Sequence, residues 1–381
     1  MKLAILNITA GGLSGGYRKY LLNLLPRLSP RPEIDEILCA LPRFINLNNI
    51  PAKSNIIYKH LNQYSSINNK LQKELNRILN EFVPDVIFVP AERFFHYKQA
   101  PVVTMVRNME PFVYPFFNNP PIEKVKNLFR LNNAREAIKK ADRIIAVSQF
   151  VKDMLVNRLR VERQKIGLVY HGVDNATHNT KRPFSIPIEF ESFLFTAGSI
   201  RPARGLDDIL MALKYLSGQG IRIPLVIAGE TEPRMISYQR KLKDWVERNK
   251  LSSYVFWTGN LSYEEMNWCY RNCIAFVITS RAEACPNIVL EAMANQCVNI
   301  STEIQPMPEF FRDAAVYYPK KDGKALANLI KTVLAWNDIQ RKAMSEESKK
   351  RAADFSWDVC ADKTIEELSK AIRNFKKTKQ T

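Results

Sequence analysis

The chain has only four histidines and six cysteines in 381 residues, and neither set is arranged for a metal. His60, His96, His171 and His178 pair with no cysteine or carboxylate at metal-ligand spacing. Cys39, Cys269, Cys273, Cys285, Cys297 and Cys360 are scattered. Cys269 and Cys273 lie four apart in a helical pattern, which is not the spacing of a metal knuckle. Reduced and mostly buried thiols are expected, and a disulfide framework is not. No Asp-x-Asp occurs. No stretch reaches the ~18 to 20 apolar residues that a membrane span needs. The opening run Met1 to Ile8 is apolar after one lysine, too short for a signal-peptide core, and leads into glycines, so it reads as a buried strand. Low-complexity segments and internal repeats are absent. These absences point to a cytoplasmic chain with no metal and no cofactor. There is no zinc finger and no aromatic RNA-binding signature, so nucleic acid is not the expected partner.

What is present is an ordinary globular composition, 46% hydrophobic and 25% charged, long enough for two domains with separate cores. The net charge is +18, unevenly spread. Residues 1–174 hold 26 Lys and Arg against 14 Asp and Glu, and the remainder 30 against 24. A second basic cluster lies at Arg373, Lys376, Lys377 and Lys379. A basic face suits an anionic membrane surface or an acidic acceptor.

Two halves share one grammar of short apolar runs alternating with helical segments. Strands are expected near 2–8, 36–41, 86–90, 101–106, 143–147 and 167–170, then near 193–198, 223–229, 254–258, 274–279 and 297–301. Helices are expected over 16–28 and 122–140. Such alternation implies parallel sheets covered on both faces. The expected class is α/β, with two Rossmann-like doubly wound domains facing a central cleft. The first domain takes 1–175, a polar, proline-bearing linker 176–191, and the second domain 192–356. The last segment, 357–381, begins a long amphipathic helix that is expected to pack back towards the first domain. In open parallel sheets ligands bind beyond the carboxyl ends of the strands, so the loops there carry the chemistry.

Three such loops stand out. The segment Thr9 to Gly16, TAGGLSGG, joins a strand to a helix. Gly15 and Gly16 would let backbone amides approach a phosphate, or would simply make a tight turn. The segment Ala197 to Gly205, AGSIRPARG, places Arg201 and Arg204 at a strand end, where two cations could hold a diphosphate or remain solvated. The segment Ser280 to Glu291, SRAEACPNIVLE, has Pro286 suited to the first turn of a helix over 287–295. Glu283 stands before that turn and Glu291 about one turn inside it. Carboxylates there could accept protons from sugar or ribose hydroxyls, or serve as ordinary acidic residues at a helix start.

The run EACPNIVLEAMANQC resembles the signature of family-4 glycosyltransferases of GT-B architecture, in which two glutamates are separated by seven residues. The segments ADRIIAVSQFVKDML, KIGLVYHGVD, AGSIRPARGLDDIL and VFWTGNLSYEEM fall in that family's usual order, so the resemblance covers nearly the whole chain. It implies a retaining transferase, for hexoses by expectation, acting on a nucleotide-diphosphate sugar without a metal. Glu283 would bind hydroxyls of the transferred sugar and Glu291 the ribose. Because proline has no amide, Asn287, Ile288 and Val289 would face the diphosphate, with Gly15 and Gly16 reaching the same phosphates. Asn260 and Leu261 would lie near the base.

Two departures stand out. Many members have arginine and lysine where this chain has Ser199 and Arg204, and Arg201 is expected to cover for the missing arginine. A His-Asp or similar pair is replaced by Arg107 and Asn108 on the acceptor side. The implied setting is cell-surface polysaccharide or lipopolysaccharide synthesis on a glycan or lipid-linked acceptor, at the inner face of the membrane. Two alternatives remain on the same fold: a nucleotide-sugar epimerase and a non-catalytic nucleotide-sugar-binding protein. The aromatics Phe94, Phe95, Tyr97, Phe112, Tyr114, Phe116 and Phe117, followed by Lys124, Lys126, Arg130, Arg135, Lys139 and Lys140, read either as core plus a solvated helix face or as a membrane-facing surface.

Overall fold

A computed structural model describes residues 1–8, 15–42, 54–61, 69–114, 119–174, 179–187 and 192–380. The segments 9–14 and 115–118, and with them most of the glycine loop and the residues Phe116 and Phe117, lie outside the described residues. So do 175–178 and 188–191, which take in much of the expected linker 176–191.

The chain forms two compact units. One comprises residues 1–111, 128–172 and 356–381, and the other 112–127 and 173–355. Each is built on a wholly parallel sheet. The first sheet contains β1 (Lys2–Leu6), β2 (Glu36–Pro42), β3 (Ile56–Leu61), β4 (Val86–Val89), β5 (Val102–Val106), β6 (Arg143–Ala146) and β7 (Ile166–Leu168). Its order is β3-β2-β1-β4-β5-β6-β7. The second contains β8 (Leu194–Ala197), β9 (Leu225–Ala228), β10 (Val255–Gly259), β11 (Ala275–Ile278), β12 (Asn299–Thr302) and β13 (Val316–Tyr318). Its order is β10-β9-β8-β11-β12-β13. Strand order therefore reverses between β1 and β4 and again between β8 and β11. Such switch points open a crevice beyond the carboxyl ends of the strands.

The central strands read as apolar runs because helices cover both of their faces. Every residue of β4, β5, β8, β9 and β11 is buried. Each large aliphatic or aromatic side chain fully buried there contributes about 1.5 to 3 kcal/mol. Two strands were not expected from the sequence, β3 and β13, and both are sheet edges. Strand β3, IIYKHL, leaves half of its side chains exposed or nearly so, and β13 has only three residues. Neither carries the continuous apolar signal of a central strand.

The last helix, Trp357–Gln380, packs within the first unit against the helix Gly15–Leu28. Trp357 is fully buried, and its ring stacks on His171 at 5.9 Å, with Tyr20 4.9 Å from His171. Glu367 forms a buried ion pair with Arg143 of β6. The chain approaches closely at Gly172, where an added Cβ would lie 2.1 Å from the Trp357 backbone nitrogen. Of the aromatics considered for a surface, Phe95, Tyr97 and Tyr114 are buried. Exposed apolar side chains in this stretch include Ile122, Val125, Leu128 and Phe129 on the helix Pro121–Lys140.

Candidate functional site

In the second unit the loops after β8 and β11, the two strands at the switch point, carry the expected polar residues. After β8 the chain turns through Gly198 (φ +122°) and Ser199, makes one short 3-10 turn over Pro202–Arg204, and enters the helix Leu206–Gly218. After β11 it runs through Ser280 and Glu283 into the helix Asn287–Ala294. Thr279 Oγ1 donates to the Arg204 carbonyl (2.7 Å) and the Arg281 amide to the Ala203 carbonyl (2.7 Å), tying the two loops together.

Arg204 lies across this junction. Its Nη1 donates to Ser280 Oγ (3.2 Å) and pairs with the Glu283 carboxylate. Both side chains keep part of their surface in water, 22% for Arg204 and 13% for Glu283, so a ligand can reach them. Gly198 makes room for the guanidinium: a Cβ there would lie 2.9 Å from Arg204 Cζ, at a φ that other residues resist. Beneath the pair, Arg281 bridges Asp207 and Asp208 at the start of the helix Leu206–Gly218. Burial works against the charge on Arg281, but the two carboxylates outweigh it and raise its pKa. Burial raises the pKa of Asp208, with Arg281 opposing. The Tyr318 hydroxyl and the Lys321 amide also donate to Asp208.

The helix Asn287–Ala294 begins after Pro286 without a side-chain cap. First-turn amides have no carbonyl a full turn behind them, which makes a helix start an anion site. Of the three residues expected to face a phosphate, Val289 has a buried side chain, and its amide donates to the Pro286 carbonyl at 2.9 Å. Asn287 and Ile288 are half-buried at the helix start. One turn on, Glu291 Oε2 accepts from the hydroxyl of the buried Tyr270 at 3.1 Å. Asn260 is exposed and Leu261 half-buried just beyond the end of β10, after Gly259.

Arg201 meets a different carboxylate. It pairs with Glu123 at 3.3 Å, not with Glu283, and Arg234 holds the other oxygen of the same fully buried carboxylate at 2.9 Å. Arg201 neutralises a buried charge, an arrangement that fails badly if one partner is lost.

In the first unit, Gly15 and Gly16 open the helix Gly15–Leu28. Arg107 and Asn108 follow β5, and both backbone amides donate to Glu92 Oε1. The Arg107 guanidinium lies 4.1 Å over the Tyr17 ring, and burial lowers its pKa. The Asn108 side chain accepts from the Glu110 amide (3.1 Å). Tyr17 donates to Asn7, just past β1. This polar cluster therefore also sits at the carboxyl ends of strands.

Glu92, Glu123 and Tyr270 are parts of these clusters that the sequence reading missed. Their partners lie 15 or more residues away, and no local spacing announces them. Among the described residues no three His, Cys, Asp or Glu side chains gather as a metal site.

Two Rossmann-like units with polar loops at their switch points define a doubly wound α/β architecture. The chain belongs to the family-4 glycosyltransferases of GT-B architecture. Residues 15–177 match Glycosyltransferase Family 4, and residues 179–351 match Glycosyl transferases group 1. It is 25% identical to the O-antigen chain mannosyltransferase RfbU of Salmonella typhimurium over 228 residues, 60% of this chain and 59% of that protein. The chain spans about three fifths of the length of the first curated relatives it matches. Among solved structures it resembles sucrose-phosphate synthase of Thermosynechococcus elongatus, with TM-score 0.72, 14% identity, and 96% of this chain and 97% of that one covered. It also resembles HepE of Anabaena, solved in complex with UDP-glucose, with TM-score 0.72, 16% identity, and 97% and 100% covered.

Proposed function

We propose that this chain is a retaining glycosyltransferase that moves a hexose from a nucleotide-diphosphate sugar to a hydroxyl of a glycan or lipid-linked acceptor in cell-surface polysaccharide synthesis. The observation that carries this reading is the Arg204–Glu283 pair beside the start of the helix Asn287–Ala294. A nucleotide-sugar needs a cation at its phosphates and a carboxylate at its sugar hydroxyls, a few ångströms apart. The pair brings both charges to one point at the switch of a parallel sheet. The relative that acts on an O-antigen chain and the likeness to a protein holding UDP-glucose support the acceptor and donor classes.

In the proposed reaction the bond between the anomeric carbon and the β-phosphate oxygen breaks, and its electron pair stays on the phosphate. The acceptor oxygen attacks the same face of the sugar. Its proton passes to the departing phosphate oxygen, giving the glycoside and a nucleoside diphosphate. Arg204 and the first-turn amides would bear the growing phosphate charge, a task that needs donors aimed where the charge develops. Glu283 would hold the sugar hydroxyls and Glu291 the ribose. The metal-independence of the reaction is part of the proposal, because Arg204 supplies the positive charge.

The test is incubation with UDP-, GDP- and ADP-sugars and a glycan acceptor, with the anomeric configuration of the product read by NMR. Retention of configuration and activity in EDTA are expected. An epimerised or free sugar as the sole product, an inverted product, or complete and reversible loss on chelation would each overturn the corresponding part.

A further inference from the structure

We infer that Tyr270 is the positioning residue that sets donor affinity, by holding Glu291 in place for the nucleotide. The inference rests on the assignment of Glu291 to the ribose. Tyr270 lies on the helix Tyr263–Asn272 and is 1% exposed. Its ring is fixed edge-on by Phe195 of β8 at 5.1 Å and Phe276 of β11 at 5.4 Å. Those are the two strands that flank the switch point. Its backbone carbonyl is held as well, accepting from Cys297 Sγ at 3.1 Å and Cys273 Sγ at 3.3 Å. The residue is thus held at both its backbone and its ring.

Its single hydroxyl proton has two acceptors within reach, Glu291 Oε2 at 3.1 Å and, more distant, the Ile288 carbonyl at 3.4 Å. Both belong to the helix whose start would meet the diphosphate. A buried phenol has to donate. Burial, reinforced by the Glu291 charge, raises its pKa, so it remains a donor. The bond to a carboxylate is charge-assisted and therefore strong and directional. Tyr270 consequently transmits the rigid packing of β8 and β11 to a carboxylate that is itself part-exposed. A carboxylate that must accept two ribose hydroxyls has to be fixed in rotation, and this phenol is placed to fix it.

The experiment is a double-mutant cycle with Tyr270→Phe, Glu291→Ala and the pair, read by donor KM, kcat and titration with UDP, GDP and ADP. Tyr270→Phe keeps the ring and its packing, so its melting temperature reports folding separately. We expect KM for the donor and Kd for the bound nucleotide to rise about tenfold, the factor of one hydrogen bond to a charged group. The kcat should stay within about twofold, because the phenol does not touch the reacting atoms. In the Glu291→Ala background Tyr270→Phe should add less than about twofold. If Glu291→Ala weakens binding while Tyr270→Phe does not, or if the two effects multiply, the positioning role is wrong. If Glu291→Ala leaves nucleotide affinity unchanged, or the wild type binds none of the three nucleotides, the ribose assignment falls instead.

Discussion

At the residue scale, the chemistry rests on which charges meet. Arg201 and Arg204 are three positions apart and look equivalent in sequence, yet Arg201 is committed to Glu123 and Arg204 to Glu283. They should therefore fail differently. Arg204→Ala is expected to lower kcat by about 100-fold or more with the fold intact, the scale for removing one transition-state donor. Arg204→Lys should recover only part of this, since an ammonium cannot reproduce a planar fork. Steady-state kinetics with circular dichroism as the folding control checks both, and a wild-type kcat for Arg204→Ala would remove it from the site. The two glutamates, the proline and the strand-end arginines could be placed because each set is local, lying in one loop between a strand end and a helix start. What Arg201 does could not be read from the sequence, because Glu123 is 78 residues distant and nothing in either segment names the other. Tyr270 was hidden for the same reason, 21 residues from Glu291 on a different helix.

At the scale of elements, the central strands could be read from the chain because full burial on both faces demands continuous apolar residues. Edge strands such as β3 and β13 have one free side and no such demand. The last helix, Trp357–Gln380, shows how a fold closes over a long separation. Trp357 lies on His171 and Tyr20, and Glu367 finds Arg143 across 224 residues. Gly172 permits the closest approach. Gly172→Ala would set a Cβ 2.1 Å from the Trp357 backbone, where no flexible side chain can yield. Overpacking of this kind costs about 1 to 3 kcal/mol or more. A fall in melting temperature of several degrees, with loss of Trp357 burial seen by fluorescence, is the expected result. An unshifted melt would contradict the packing described.

At the scale of the whole molecule, two properties emerge from many residues at once. Burial raises the pKa of Tyr17, Tyr20, Tyr270 and Tyr318. The folded chain holds these protons more tightly than the unfolded chain does. The stability they contribute is full below the ordinary tyrosine value of about 10 and is lost as pH rises beyond it. Melting temperature should therefore drop steeply above about pH 10, and a flat profile from pH 8 to 11 would contradict the burial of these phenols.

The second property is the charge of +18, concentrated in the first half of the sequence. No helix among the described residues is long and apolar enough to cross a membrane. The helix Pro121–Lys140 exposes Ile122, Val125 and Phe129 alongside Lys126, Lys139 and Lys140. Apolar and basic side chains on one helix suit a surface with anionic headgroups. Co-sedimentation with anionic vesicles but not neutral ones is expected, weakening as salt is added, and equal binding to both would refute the electrostatic part.

In the proposed reaction Glu283 serves the transferred sugar while Arg204 and the helix start serve the phosphates. The most direct test of this assignment is Glu283→Ala, assayed for transfer and for nucleoside-diphosphate binding on the same preparation. Transfer should fall about 100-fold or more, the cost of one transition-state contact. Nucleotide affinity should be unchanged or slightly tighter, because Arg204 has lost its competing carboxylate. Wild-type transfer by Glu283→Ala, or a loss of nucleotide binding equal to the loss of transfer in a folded protein, would contradict it.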